Sequence, residues 1–384
     1  MRIEVKYMND NLKVLQICSY YIGTKLYNKL FTSLSVFEVD QRVYVFVSKL
    51  YEIDNPVNYR IDVSHCYNSF DRLFFNIKHS KVLKDIESKY KIEKFNIMHA
   101  HSLFSNGYIA YKLNQRYNIP YVVAVRNTDV NLFFKRMIHL RKIGIEILKN
   151  ANKIIFISEP YKTHTIKTYV PKDCQDEIIK KSIVIPNGID EFWLMNKNNG
   201  RKDTLKKKEI KLIYVGSIDR NKNIDTTIKT CQILIKKGYK VFYTIVGNIV
   251  DKKYKKIILR YNFINYVPFC EKEELINYYR QNDIFVMPSK YETFGLVYAE
   301  AMSQGLPIIY TRGQGFDGQF KNGEVGYSVK CDSVEEITEN IVKIHENYCE
   351  ISKNCLENVD KFDWRNIALQ YNKIYNDICR MNKN

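Results

Sequence analysis

Short apolar runs of strand length recur along this chain, each followed by a polar turn and a stretch with helical spacing. Residues 12–19 (LKVLQICS) form the first run, followed by a loop at 20–25, a helical pattern through Val36 and a second strand at 43–47. After a less regular stretch the alternation resumes with a strand at 95–101, a helix at 104–117 and a strand at 121–125. A helix over 130–150 and strands at 153–157 and 182–185 complete the first half. Near-continuous apolar strands between amphipathic helices predict a parallel sheet covered on both faces.

Residues 195–209 (MNKNNGRKDTLKKKE) interrupt this pattern with a polar, basic stretch that reads as a solvated linker. Beyond it the alternation restarts: strands at 211–215, 241–246, 266–269, 284–288 and 307–310, with helices at 224–237, 252–260, 271–281 and 295–304. A last helical pattern runs from Trp364 to about residue 380. The expected fold is α/β, with two doubly wound, Rossmann-like domains facing a central cleft. The first domain covers 1–194 and the second 210–362, with 195–209 as linker. The helix in 363–384 is expected to pack back on the first domain.

Composition adds limits. A chain of 384 residues with 45% hydrophobic side chains has material for two cores. Its longest apolar stretches are far too short to cross a bilayer, so the expectation is a cytoplasmic protein. Nine cysteines are scattered without a Cys-x-x-Cys pair, which suits neither a disulfide framework nor a zinc site. The net charge of +18 calls for anionic partners, yet no nucleic-acid-binding signature accompanies it. Residues 133–149 (FFKRMIHLRKIGIEILK) mix basic and apolar residues at helical spacing, as in a helix lying on anionic lipid. A domain helix with a solvated basic face is the alternative.

The chemistry concentrates in residues 288–305, PSKYETFGLVYAEAMSQG. A strand ends near Pro288, and Gly295 opens a helix that Gly305 closes. Free backbone N–H groups at Phe294, Gly295 and Leu296 would form a site for a diphosphate. Glu292 precedes the helix and Glu300 lies inside it, so one carboxylate can reach hexose hydroxyls and the other ribose hydroxyls; a solvent-facing Glu292 and a Glu300 that merely favours the helix dipole are the alternative.

The pattern Glu-x-Phe-Gly-x4-Glu, followed by Ala301, Met302, Gly305 and Pro307, closely resembles glycosyltransferase family 4, the retaining group 1 enzymes of the GT-B fold. The resemblance covers nearly the whole chain. It implies that Glu292 contacts the transferred sugar and Glu300 the ribose, with Thr293 and the amides after it at the distal phosphate. Residues 214–223 (YVGSIDRNKN) resemble the family's phosphate loop, which makes Lys222 the diphosphate lysine. Ser217 stands where many members carry arginine, and Arg220 is the candidate substitute. Val246, Gly247 and Phe269 fall where the family wraps the nucleobase.

In the first half, Gly23 matches a glycine that lets the backbone approach donor and acceptor. Residues 96–113 resemble a family strand-loop-helix with His99, His101 and Gly107. Two histidines at i, i+2 raise a metal site, but no cysteine or carboxylate partner accompanies them and the chain has no Asp-x-Asp. Arg126 stands where relatives carry a histidine that contacts the transferred sugar. An arginine cannot accept a proton at neutral pH, but it binds carboxylate or phosphate bidentately. Asp129 is expected to orient it or to bind acceptor hydroxyls.

The resemblance implies retaining transfer from a UDP- or GDP-sugar to a glycan or lipid-linked hydroxyl, without cofactor or metal, in bacterial surface polysaccharide assembly. Glu292, Arg126, Asp129 and Lys222 are the catalytic candidates. The partners are nucleotide sugar and acceptor, with an anionic membrane surface as a further one and no nucleic acid. A GT-B epimerase or phosphorylase, or a non-catalytic basic nucleic-acid-binding protein, are the alternatives.

Overall fold

The structure is a computed structural model that describes residues 12–37, 39–51, 60–198 and 205–382. Part of the expected linker, residues 199–204, lies outside the described residues. The chain forms two compact units: Met1–Ile157, Lys162–Ile185 and Trp364–Asn384 make the first, and Ser158–Tyr161 with Pro186–Asp363 the second. The division after Ile185 falls ahead of the polar stretch 195–209.

Unit one is built on a parallel sheet of strands β1 (Lys13–Ile17), β2 (Asp40–Ser48), β3 (Ile61–Tyr67), β4 (Ile97–Ala100), β5 (Tyr121–Val125), β6 (Lys153–Phe156) and β7 (Ser182–Val184). Their order is β3-β2-β1-β4-β5-β6-β7, so the topology reverses between β1 and β4. One face of this sheet packs on helix Lys25–Ser35 and on the chain's last helix, Trp364–Met381. Leu30, Phe31 and Leu34 from the former join Ile367, Tyr371, Ile374 and Ile378 from the latter in one apolar cluster with Val14, Val45 and Val122.

Unit two carries β8 (Glu209–Val215), β9 (Lys240–Val246), β10 (Ile264–Val267), β11 (Ile284–Met287), β12 (Ile308–Thr311) and β13 (Gly326–Val329). All pair in parallel, in the order β10-β9-β8-β11-β12-β13. The order reverses between β8 and β11, where Leu212 aligns with Ile284. In such sheets ligands sit beyond the carboxyl ends of the strands at the reversal. That is where the loops after β8 and β11 emerge. No helix among the described residues is long and apolar enough to cross a membrane.

Several elements differ from expectation. The irregular stretch before residue 95 contains β3 and helix Phe75–Lys89. β3 is an edge strand of sequence IDVSHCY, and its polar residues hide the alternation. Its place is fixed by Asp85, which accepts from both Ser64 Oγ and Tyr44 OH. Strand β10 lies two residues earlier than expected and stops before Pro268, which lacks an N–H for the ladder.

The larger correction concerns 130–150. It is not one helix but a π-turn at Asp129–Phe134, a 3-10 turn at Ile138–Leu140 and an α-helix at Arg141–Asn150. Arg141 Nε donates to the Phe134 carbonyl at 2.6 Å, taking the acceptor that a continuing helix would need. The α-helical part buries Gly144, Ile145, Ile147 and Leu148 against its own unit. Residues 133–149 therefore present no single basic-apolar helix to a lipid surface.

Asp129 opens this segment, fully buried, and its carboxylate accepts three amides: Leu103 N at 2.9 Å, Arg126 N at 2.8 Å and Phe104 N at 3.1 Å. Burial raises this carboxyl to about 6, against the lowering effect of those same amides and of Arg126. It ties the loops after β4 and β5 together. Stranding buried N–H groups costs about 1–3 kcal/mol each, so Asp129→Ala is expected to lower unfolding stability by at least about 2 kcal/mol after partial rehydration. Urea denaturation checks this, and an unchanged midpoint would show that the carboxylate does not hold the two loops.

Candidate active site

Two loops of unit two meet at the sheet reversal. The loop after β8 turns at Gly216, whose φ of +149 places it outside ordinary side-chain-bearing backbone. Asp219 then organises the turn: its Oδ1 accepts from Asn221 N at 2.8 Å and Lys222 N at 3.1 Å, and Oδ2 accepts from Ser217 Oγ. Asn221 fastens this loop to the one after β11 by reciprocal bonds, Nδ2 to Tyr291 O at 2.9 Å and Tyr291 N to Oδ1 at 3.0 Å. Asn223, in the left-handed conformation that asparagine tolerates, donates to Pro288 O and Cys331 O.

This fastening brings Lys222 Nζ to 2.7 Å from Glu292 Oε2, 70 positions away in sequence. Both side chains are largely buried. Glu292 is held from two more sides: its Oε1 accepts from Thr293 N, and its backbone bonds Gln314 Oε1 at 3.0 Å and Gly315 N at 2.8 Å. Glycine at 315 is required by contact, since a Cβ there would lie 2.1 Å from Thr293 O.

Helix Leu296–Ser303 begins at Gly295, with φ +79. The head of the helix is anchored by Phe294, buried against Phe316 and Phe362. The amides of Phe294, Gly295 and Leu296 make no hydrogen bond within the protein among the described residues. With Lys222 beside them they can receive an anion. Glu300 lies one turn further in, partly buried, with the Tyr279 hydroxyl donating to Oε2 at 3.5 Å. Burial raises its carboxyl to about 7. Asp190 adds to the rise, while Tyr279 and Lys272 oppose it.

The remaining donor-side candidates divide. Ser217 and Arg220 are exposed on the loop that carries Lys222. Phe269 is exposed beyond β10. Val246 is buried in the sheet, so only its main chain is available. At Gly247 a Cβ would stand 2.0 Å from Gly216 O, a structural reason for glycine that the sequence reading did not contain. Asp219, Asn221, Gln314, Gly315 and Tyr279 were missed. The Asp-x-Asn-Lys spacing at 219–222, typical of a side-chain-closed turn, was the one available signal.

In unit one, Gly23 is exposed at the end of a 3-10 turn, and a Cβ there would meet nothing within 4 Å. Arg126 follows β5; its Nε donates to His101 O at 3.3 Å, and its guanidinium lies near the Tyr371 hydroxyl and 6.0 Å from the Tyr27 ring centre. Asp129 touches the Arg126 amide rather than its guanidinium and has no exposed oxygen for acceptor hydroxyls. His99 and His101 are buried with ring centres 4.0 Å apart. Burial pushes His99 down to about 3 and His101 well below its ordinary value, so both are neutral. No group of three His, Cys, Asp or Glu among the described residues could hold a metal.

Residues 196–362 match the family described as glycosyl transferases group 1, and residues 40–191 match glycosyltransferase family 4. The chain belongs to this family of group 1 glycosyltransferases. It is 24% identical over 325 residues to the uncharacterized glycosyltransferase MJ1178 of Methanocaldococcus jannaschii, covering 80% of this chain and 85% of that one. The capsular polysaccharide biosynthesis glycosyltransferase CapM of Staphylococcus aureus is 30% identical over 208 residues, 50% of this chain and 52% of its own length. Sucrose-phosphate synthase from Thermosynechococcus elongatus superposes with a TM-score of 0.68 at 19% identity, covering 96% and 99% of the two chains. Anabaena HepE in complex with UDP and glucose does so with a TM-score of 0.63 at 15% identity, covering 96% and 100%. These likenesses establish the GT-B fold.

Glu300 gives a test with a definite sign. Its carboxyl is held near 7 in the fold, above the ordinary 4.5, so the native state binds the proton more tightly than the unfolded chain. Ionising it therefore costs native stability as pH rises from about 4.5 to 7. Glu300→Gln is expected to raise the Tm of the ligand-free protein at pH 8 and to leave it nearly unchanged at pH 5. An equal change at both pH values, or a fall at pH 8, would contradict this environment for Glu300.

Proposed function

We propose that the protein is a retaining glycosyltransferase that moves a sugar from a nucleoside diphosphate sugar to a hydroxyl of a glycan or lipid-linked acceptor. The observation that carries this reading is the Lys222–Glu292 pair beside the unpaired amides at the head of helix Leu296–Ser303. In this reading the donor's diphosphate takes the amides and shares Lys222, which stabilises charge building on the leaving group. Glu292, partly released, accepts from hydroxyls of the transferred sugar. Glu300 accepts from the ribose diol in its ionised form, so nucleotide affinity falls as pH drops below about 7.

Retention is what the family resemblance implies, and the contacts of Glu292 argue against reaching it through a covalent intermediate. A carboxylate bound to a lysine and to an adjacent backbone amide is a poor nucleophile, and the double displacement of retaining hydrolases needs a second carboxylate about 5 Å away. Same-face attack, with the leaving diphosphate accepting the acceptor's proton, leaves the protein the tasks of positioning and charge stabilisation. The likeness to a capsular polysaccharide glycosyltransferase supports surface polysaccharide assembly as the setting.

Thermal shift against UDP-, GDP- and ADP-sugars identifies the donor, since a ligand present at 100 times its Kd stabilises by about 2.7 kcal/mol. With that donor, turnover is expected to persist in excess EDTA; complete loss restored by Mn2+ or Mg2+ would overturn the metal-free mechanism. Glu292→Gln is expected to lower kcat by about tenfold or more while changing donor Kd less. Unchanged kcat would remove Glu292 from the site.

A further inference from the structure

The guanidinium of Arg126 is a partly buried charge without a counter-ion among the described residues. Its one hydrogen bond is to a carbonyl, His101 O at 3.3 Å, and its neighbours are the Tyr371 hydroxyl and the face of Tyr27. Among the described residues no carboxylate stands within ion-pair distance of it. Asp129, three residues on, acts on it only through space, because both of its oxygens are taken by main-chain amides. The two histidines beneath contribute no charge. Their low proton affinity is due first to burial, and Arg126 itself adds to it.

Leaving a cation in such surroundings costs several kcal/mol, and proteins as a rule pair buried charges. Here the surroundings instead orient the guanidinium, with Nε on His101 O and the Tyr27 ring beside it. Tyr371 comes from the last helix, where Tyr375 beside it locks His99 by a 2.6 Å hydrogen bond to Nδ1. The His99 ring lies against Tyr371 with ring centres 5.2 Å apart. Arg126 itself stands just past the carboxyl end of β5, on the ligand-binding edge of the sheet. A planar fork held still and lacking a counter-charge is suited to a bidentate oxyanion.

We propose that Arg126 receives a carboxylate or phosphate of a substrate that is distinct from the donor's diphosphate, which has its own lysine and amides in unit two. This rests on the glycosyltransferase reading. The anion has two sources: the carboxylate of a uronic-acid donor sugar, or a phosphate on the acceptor. Tyr371 is a positioning residue for Arg126.

The test measures binding by the full chain and by Arg126→Gln, Arg126→Lys and Tyr371→Phe, with circular dichroism confirming that each is folded. The probes are UDP, UDP-glucose and UDP-glucuronate, or the guanosine series with GDP-mannuronate if GDP binds instead. In a second arm, hexyl phosphate and hexanol are titrated onto protein saturated with the nucleoside diphosphate. The wild type is expected to prefer one charged probe over its neutral partner by about tenfold or more, a preference that Arg126→Gln abolishes. Arg126→Lys keeps part of it, and Tyr371→Phe weakens it without affecting the nucleoside diphosphate.

Preference for the uronate assigns the donor sugar, and preference for the alkyl phosphate assigns the acceptor. If Arg126→Gln weakens UDP itself as much as every other probe, the arginine serves the diphosphate and the proposal is overturned. It is equally overturned if neither charged probe is preferred while the nucleotide binds normally, an outcome that leaves the glycosyltransferase reading intact. Absence of any nucleoside diphosphate binding would sink both.

Discussion

The site in unit two depends on one ion pair between loops far apart in sequence. Lys222 and Glu292 meet at 2.7 Å because parallel strands β8 and β11 are neighbours at the point where the sheet reverses. The geometry is then closed by neutral groups: Asp219 shapes the lysine's turn, Asn221 clasps the opposite loop, and Gln314 and Gly315 hold the backbone of Glu292. A lysine and a glutamate on flexible loops would contribute little in water. Fixed on a sheet edge and largely withdrawn from solvent, they form a charge pair that an incoming anion can share. The helix head beside them offers amides, and so a diphosphate finds both a cation and donors already in place.

Much of this was legible in the chain. The β/α alternation carried the fold class, and the Glu-x-Phe-Gly-x4-Glu spacing located both carboxylates relative to the helix. Periodicity could not supply the clasp between loops. Asn221 and Gln314 are polar residues in irregular segments, and their value arises only once β8, β11 and β12 lie side by side. Two of the four edge strands were also hidden, because β3 and β13 carry polar or glycine residues where one-sided pairing tolerates them.

Asp129 illustrates how residue type can mislead. Beside Arg126 in sequence it looked like a group for orienting the guanidinium or for binding hydroxyls. In the fold it is a buried tie for three amides, at the start of a π-turn rather than of the continuous helix that the apolar spacing predicted. With Asp129 turned inward, Arg126 has no ion-pair partner among the described residues.

The central claim is that Lys222 meets the diphosphate of a nucleotide donor. Calorimetric titration of wild type and Lys222→Met with a nucleoside diphosphate and with the corresponding nucleoside tests it most directly. The account predicts that the substitution weakens the diphosphate by about tenfold or more and leaves the nucleoside unchanged. Equal losses for both ligands, or none for either, would contradict it.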